Sequence, residues 1–419
     1  MVISDTEKGM PPGAEVSVKA VGQQGWNVLR EDMTLPVAIL KWPSVLNNAQ
    51  WMQRFASEQN VWLYPHGKTT MAPQLFDLQQ KHGCRGVTVA NAIQADICLR
   101  HSVRSVFIAN QVTDRQSLLR LAGLCEQYDQ AELFLIVDSA ENANLVLDHL
   151  AQYVQRDQLK LLIEIGMPGG RTGVRSVPAA VELATLLEVA ACKVSGLEAF
   201  EGIFNMADFG KATAQVEALL ELMGEVYAKL VELDKFAAGT SYLSAGGSAF
   251  YDLVATRFHQ FEQHKPSQII VRSGCYISHD SGMYKRAYQD MLGRGLIQPQ
   301  DQLLPALEVW GQVQSQPEQG RAFANAGKRD LSYDIELPVV NWWYRPGFHH
   351  QPVSVDGAVV VQGLNDQHAY LSFDNRVPLQ VGDLLGFGIS HPCTTFDKWK
   401  YLFAADDDYN ITGVVKTFF

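Results

Sequence analysis

The chain has no pair of cysteines at CxxC spacing; its six cysteines, at 84, 98, 125, 192, 275 and 393, are scattered over 419 residues. That argues against a disulfide framework and fits reduced, mostly buried thiols of a cytoplasmic protein. Clusters of lysine or arginine are also missing. With 34 basic and 45 acidic residues and a net charge of -11, neither a nucleic acid nor an anionic membrane is expected as a partner. Apolar runs such as Leu133–Val137 are far too short to span a bilayer. The N-terminal Met-Val-Ile-Ser-Asp-Thr-Glu-Lys lacks a basic start and an apolar stretch, so no secretory signal is expected. Neither GxGxxG nor GxxxxGK[ST] occurs, which removes the familiar phosphate loops of dinucleotide and nucleoside triphosphate proteins.

What is present suits a cored globular chain: 47% hydrophobic and 19% charged residues, at a length that predicts two domains. After a short strand at Leu35–Leu40, apolar runs recur at Val61–Tyr64, Gly86–Val89, Ser105–Ala109, Glu132–Val137, Lys160–Ile165, Val194–Phe200, Ser241–Ser244 and Gln268–Arg272. Amphipathic stretches separate them: Ala72–His82, Ala92–Arg100, Arg115–Tyr128, Ala140–Gln155, Val177–Ala191, Lys211–Leu233 and Ala249–Glu262. Strands alternating with helices predict a parallel (β/α)8 barrel of the TIM type. After about Asp280 the pattern becomes short strands, among them Leu307–Gln314, Ala358–Gln362, Ala369–Phe373 and Leu384–Ile389, with one helix near Gly282–Gly293. That predicts a second, mainly antiparallel β domain. The expected division is 1–34 as a leader joined to the β domain, 35–280 as the barrel, and 281–419 as the β domain.

In such a barrel the chemistry lies at the carboxyl ends of the strands. Lys68 follows the first barrel strand, in Val61-Trp-Leu-Tyr-Pro-His-Gly-Lys-Thr-Thr-Met-Ala-Pro73. Desolvation there would lower its pKa and make it a usable base or nucleophile, although most loop lysines are only solvated. Ser244-Ala-Gly246-Gly247-Ser248 can bring backbone N–H groups, a hydroxyl and the following helix end to an anion; a tight turn explains it equally well. Gly274 and Cys275 on the next strand end add donors. Arg171, in Gly-Gly-Arg-Thr-Gly, is a candidate cation at the fifth strand end. Arg272 either faces the site or closes the barrel. His391 and Cys393 form a zinc-preferring pair; two protein ligands would leave room for substrate, whereas a histidine and a buried cysteine near a turn is the commoner meaning of the spacing.

Pro65-His-Gly-Lys-Thr-Thr70 resembles the Pro-His-x-Lys-Thr-His signature of the D-serine dehydratase and D-threonine aldolase family, pyridoxal-phosphate enzymes of the alanine-racemase barrel type. The resemblance implies that Lys68 holds the cofactor as a Schiff base. Gly246-Gly247-Ser248 resembles the family's cofactor-phosphate loop, Ser244 standing at its start, and Ser273-Gly-Cys-Tyr276 is similar to its Pro-Gly-x-Tyr segment. Gly274, Cys275 and Tyr276 are therefore expected at the cofactor. Arg171 resembles the arginine beside the cofactor's phenolic oxygen; Arg272 would either face the pyridine nitrogen or simply close the barrel. Ser390-His-Pro-Cys-Thr-Thr-Phe-Asp-Lys-Trp399 resembles the metal segment, in which His and Cys mark the dehydratases and Asp replaces Cys in the aldolases. Asn325-Ala-Gly-Lys-Arg-Asp-Leu-Ser332 and Asn365-Asp-Gln-His-Ala369 are similar to segments of the family's β domain; His368 would be a support for the metal site or a plain strand-end residue. The chain departs from the pattern at Tyr64, where Arg is common, at Thr70, and at Ile203, where the family often has His.

The resemblance implies a zinc-assisted, pyridoxal-phosphate-dependent dehydratase, a lyase that takes a small-molecule 3-hydroxy D-amino acid to a keto acid and ammonia. D-serine is the first candidate, with D-threo-3-hydroxyaspartate and D-threonine behind it. It also implies a homodimer. Rival expectations are a 3-hydroxy-D-amino-acid aldolase, an amino-acid racemase using a second base, and a non-catalytic pyridoxal-phosphate carrier, which would lack the β domain.

Overall fold

A computed structural model describes residues 1–261, 264–297 and 302–419. Two short strands, β1 (Val2–Ser4) and β2 (Glu15–Ser17), pair near the N-terminus. They precede β3 (Val37–Lys41) and helix α1 (Trp42–Glu58). The barrel strands follow as β4 (Trp62–Leu63), β5 (Val87–Val89), β6 (Ser105–Ile108), β7 (Glu132–Val137), β8 (Leu159–Ile165), β9 (Gly196–Ala199), β10 (Ser241–Ala245) and β11 (Ser267–Val271). Between them run α2 (Pro73–Lys81), α3 (Ala92–Arg100), α4 (Arg115–Gln127), α5 (Ala140–Gln155), α6 (Val177–Val189), α7 (Phe209–Glu232) and α8 (Tyr251–Phe261). The expected end of the last helix, Glu262, lies outside the described residues.

The eight strands form one parallel sheet in the order β4-β11-β10-β9-β8-β7-β6-β5, and a His66–Thr88 bridge joins its two edges. The expected barrel with an antiparallel second domain is what the chain forms. The strands are continuous apolar runs because both of their faces are covered. Many helices begin at a side-chain cap. Asn91, Asp114, Ser139, Ser176 and Asp208 each accept the N–H three residues on, at 2.8–3.4 Å. Inside the barrel Tyr64, Phe107, Phe134, Leu162, Tyr242 and Ile270 form a packed cluster, Phe107 stacked on Phe134 at 5.4 Å. Tyr64 is absorbed there, its hydroxyl 3.0 Å from Ser105 Oγ.

Beyond the barrel come α9 (Met283–Arg294), β12 (Leu307–Glu318), β13 (Arg321–Ala324), β14 (Val339–Tyr344), β15 (Val353–Ser354), β16 (Val359–Leu364), β17 (Ala369–Phe373), β18 (Leu384–Gly388), α10 (Cys393–Phe396), β19 (Tyr401–Ala405) and β20 (Ile411–Lys416). Nearly all pairings here are antiparallel. Strand β3 is the exception in kind and position: it pairs antiparallel with β12 and parallel with β19. The sequence reading began the barrel at Leu35, but Val37–Lys41 is hydrogen-bonded into the second sheet. An apolar strand buried on both faces looks alike in either sheet, so its composition could not assign it. Ile3, Met10, Val21 and Val28 of the leader pack on Trp310, Leu384 and Phe403 of that sheet. Among the described residues, no helix is long and apolar enough to cross a membrane.

Candidate active site

Lys68 stands on a single turn, Gly67–Thr69, just past β4. A Cβ on Gly67 would collide with Val87 and Phe76, so only glycine allows this turn to sit against the barrel wall. Burial lowers the pKa of the half-buried Lys68 amine; the sulfurs of Cys393 and Cys275 oppose the shift, and Arg171 adds to it. Lys68 opens into a cavity of about 390 Å³ that is also lined by Gly246, Gly247, Ser248, Gly274, Cys275, His391 and Cys393. A larger hollow of about 520 Å³ lies behind β4 between Gln53 and Arg85, and none of the expected site residues lines it.

Below the cavity floor, Arg272 is fully buried over the Phe107 ring, 4.9 Å from its centroid. It is paired with Glu198 and donates to Ser244 Oγ at 2.6 Å and to the Ala199 carbonyl at 3.2 Å. Among the described residues its Nε has no hydrogen-bond partner. Burial, with Glu164 nearby, pushes the Glu198 carboxyl up to about 7 against the pull of Arg272. Ser244 therefore supports the arginine and does not reach the cavity. Arg171 is exposed at the rim, its guanidinium 4.8 Å from the Phe200 ring. His66 meets the same ring edge-on at 6.3 Å; both its ring nitrogens are buried with no partner among the described residues, and burial holds its pKa well below the ordinary value.

Tyr276 requires a correction. Its hydroxyl is bonded to Gln79 on α2 at 3.1 Å and lies 3.6 Å from Cys84, so the ring faces the barrel's outer layer and not the cavity. Two residues after Gly274 the chain has turned through a helical step, and the side chain follows.

His391 and Cys393 approach the cavity from the β domain. His391 Nδ1 is 2.6 Å from Asp334, which leaves its other nitrogen toward the cavity side. Burial alone would lower its pKa, but Cys393 and Asp334 raise it to about 9. Cys393 Sγ lies 3.3 Å from Thr69 Oγ1 and 3.9 Å from Cys275 Sγ. His368 is exposed on the β16–β17 turn, so Asp334, and not His368, steadies His391. Among the described residues no three His, Cys, Asp or Glu side chains stand ready to hold a metal. His391 and Cys393 supply two donors.

The residues fit pyridoxal phosphate in three respects. The lysine is half-buried with a lowered pKa, unpartnered donors are available at Arg272 and His66, and glycines line the wall where backbone must come close. Sequence reasoning missed the partners: Glu198 under Arg272, Asp334 behind His391, and Glu201, whose carboxylate accepts from Gly246 N and Gly247 N. The two glutamates were visible in Glu198-Ala-Phe-Glu201, but nothing local says what they face.

A family model described as "Putative serine dehydratase domain" matches residues 306–405, the core of the β domain. The chain is 24% identical over 314 residues to a D-threonine aldolase of an Arthrobacter species, covering 75% of this chain and 76% of that one. It is likewise 24% identical to the 3-hydroxy-D-aspartate aldolase of Paracoccus denitrificans strain Pd 1222, over 74% and 76% of the two chains. Among solved structures, the D-threonine aldolase of Filomicrobium marinum superposes with a TM-score of 0.72 at 19% identity, over 92% of this chain and 95% of that one. The D-threo-3-hydroxyaspartate dehydratase of Delftia sp. HT23 gives 0.65 at 18% identity, over 92% and 97%. Structures of His→Ala and Cys→Ala variants of a D-threo-3-hydroxyaspartate dehydratase, the latter in a metal-free form, replace residues two positions apart, the spacing of His391 and Cys393. An alanine-racemase-like protein of Idiomarina loihiensis gives 0.69 at 15% identity, over 92% and 96%. The fold is the alanine-racemase-like barrel with its β domain, and the chain is similar in sequence to D-threonine and 3-hydroxy-D-aspartate aldolases, with a serine-dehydratase-type segment in its second domain.

Proposed function

We propose that this chain is a pyridoxal-phosphate-dependent lyase that eliminates water from a 3-hydroxy D-amino acid and, by hydrolysis of the product, releases ammonia and a keto acid, with D-serine as the first substrate to test. The observation that carries the reading is that Lys68 opens into one cavity with His391 and Cys393. When bound, the cofactor would supply an electron sink for a carbanion at Cα. Burial favours the neutral, proton-accepting form of the Lys68 amine, which suits removal of the Cα proton. Arg171 keeps a positive charge at the rim, and Arg272 presents its free Nε from below. His391 and Cys393 would hold zinc, which supplies a Lewis acid for a poor leaving group such as hydroxide. Loss of the hydroxyl breaks Cβ–O and forms Cα–Cβ unsaturation, and hydrolysis of the product then gives the keto acid and ammonia. We place the protein in the cytoplasm and expect a homodimer, testable by sedimentation.

The second reading is an aldolase, favoured by the names of the sequence relatives. Cys393 supports the dehydratase, since a thiolate prefers zinc and the resemblance associates Asp with the aldolases. Product analysis separates them. From D-threo-3-hydroxyaspartate a dehydratase yields oxaloacetate and ammonia, whereas an aldolase yields glycine and glyoxylate. Glycine with an aldehyde, and no ammonia, from every substrate tried would overturn the dehydratase reading. Conversion to the L-isomer alone would mark a racemase.

A further inference from the structure

Two backbone N–H groups expected to meet a cofactor phosphate are occupied by the protein itself. Glu201 Oε1 accepts from Gly247 N at 2.6 Å, and Oε2 accepts from Gly246 N at 3.0 Å. Glu201 is only 1% exposed, on the turn after β9. The approach is close enough that a Cβ on Gly247 would stand 2.6 Å from Glu201 Oε1. Both carboxylate oxygens are thus spent on the same two donors. On the neighbouring strand end, Gly274 N and Cys275 N have only the Ser248 hydroxyl, 3.3 Å from each. That acceptor is neutral and longer-ranged, and a hydroxyl can rotate away. Half of the cradle therefore holds a carboxyl group, whose pKa burial raises against the pull of its amide partners and Arg272, and half holds a neutral hydroxyl.

The arrangement has a physical cause. Buried N–H groups left without an acceptor are costly, and Glu201 satisfies two of them. A phosphate that uses these amides cannot share them with a carboxylate, because two anions on one set of donors repel. The nearest buried cation does not resolve the conflict, since Arg272 is engaged by Glu198, Ser244 and the Ala199 carbonyl.

We infer that Glu201 is a competing carboxylate built into the phosphate cradle: it fills the Gly246–Gly247 amides and must leave them for a phosphate to enter. Glu201 thereby sets the affinity for the phosphate end of the cofactor and leaves the ring end unaffected. The inference rests on the pyridoxal-phosphate reading for its natural ligand, but the cradle can be tested without it.

The test uses the full chain stripped of cofactor, as wild type, Glu201→Gln and Glu201→Ala. Each is titrated calorimetrically with pyridoxal phosphate, with pyridoxal, and with inorganic phosphate. Both variants should bind pyridoxal phosphate and inorganic phosphate about tenfold or more tightly than the wild type, because a negative charge next to the incoming anion is gone. Pyridoxal, lacking the phosphate, should bind all three forms within about twofold. Pyridoxal phosphate and inorganic phosphate bound equally or more weakly by the variants would overturn the inference. If the variants lose their native circular dichroism, Glu201→Asp takes their place: its shorter side chain keeps the charge but cannot span both amides, and unchanged or weaker phosphate binding would again overturn the inference. A wild type that takes up neither pyridoxal compound defeats the cofactor reading alone, and inorganic phosphate then decides the role of Glu201.

Discussion

The sulfurs of Cys393 and Cys275 face each other at 3.9 Å across the seam between the β domain and the barrel. Either sulfur can be the donor in this contact; it and burial raise the Cys275 thiol, while Cys275 and His391 draw the Cys393 thiol down. The β domain thus delivers a sulfur ligand to the mouth of the barrel, within the cavity that Lys68 lines.

Metal removal should divide the chemistry in two. Chelation, or Cys393→Ala or His391→Ala, should abolish loss of a β-hydroxyl while cofactor uptake is unchanged, because only C–O cleavage needs a Lewis acid at oxygen. A β-chloro substrate analogue should be much less affected. Cys393→Asp should shift preference toward manganese or magnesium. Zinc content, cofactor absorbance and keto-acid release give the answer, and full D-serine turnover by metal-free protein would defeat the assignment.

Lys68 should be the point of covalent attachment. Borohydride treatment of the cofactor-loaded protein should leave the added mass on the Lys68 peptide, and Lys68→Ala should lose that label together with essentially all turnover. A label on another lysine would remove Lys68 from its role.

Arg272 and Glu198 should behave as a buried pair. Arg272→Met leaves Glu198 without its partner, a loss on the order of 3–5 kcal/mol. The pH dependence has a definite sign. The Glu198 carboxyl lies at about 7 in the fold against an ordinary 4.5, so the native state holds the extra proton between those values. Its contribution to stability is present in full below about 4.5 and is lost as pH rises through about 7. Urea denaturation from pH 5 to 8 should show this falling component in the wild type and not in Glu198→Gln. A component of opposite slope would refute it.

Gly274 should resist even alanine. A Cβ there would stand 2.7 Å from the backbone N and O of His66, which cannot give way as a side-chain tip can. Gly274→Ala should therefore cost roughly 1–3 kcal/mol and displace the His66–Lys68 turn. Exposed Gly169 has no neighbour within 4 Å of an added Cβ, but its φ of +74° would strain an alanine, so Gly123, with open space and no positive φ, is the control. Thermal melts of the two variants decide the matter; equal melting temperatures would show that the His66 backbone yields.

The barrel was legible because its strands are uninterrupted apolar runs separated by amphipathic stretches of helical length. Glu132–Val137, Ala92–Arg100 and Ala140–Gln155 coincide with the structure residue for residue. The β domain was legible in kind, but its long bent strand Leu307–Glu318 ran past the expected end at Gln314. Lys68, Gly246, Gly247, Ser248, Gly274 and Cys275 gather at one cavity, since every strand of a parallel barrel ends on the same rim, but Arg171, Ser244, Arg272 and Tyr276 do not line it. Less was visible at side-chain level. The direction of Tyr276 depends on a backbone turn that spacing does not encode. The tie from Asp334 to His391 joins segments 57 positions apart, and that from Glu201 to Gly247 joins segments 46 apart, with no local mark on either.

Strand β3 has a consequence for how the molecule is born. Val37–Lys41 precedes the barrel in the chain yet pairs with none of the barrel strands. Its neighbours are Leu307–Trp310 and, later still, Phe403–Ala405. Closing so long a loop carries an entropic cost that is recovered only when the distant strands arrive. The barrel can assemble first, but the sheet that carries His391 and Cys393 is sealed only when nearly the whole polypeptide is available. A chain truncated before Tyr401 would leave the edge of β3 that β19 covers open to other strands, an invitation to aggregate. The cavity therefore cannot be complete before His391 and Cys393 have been made and placed beside the barrel.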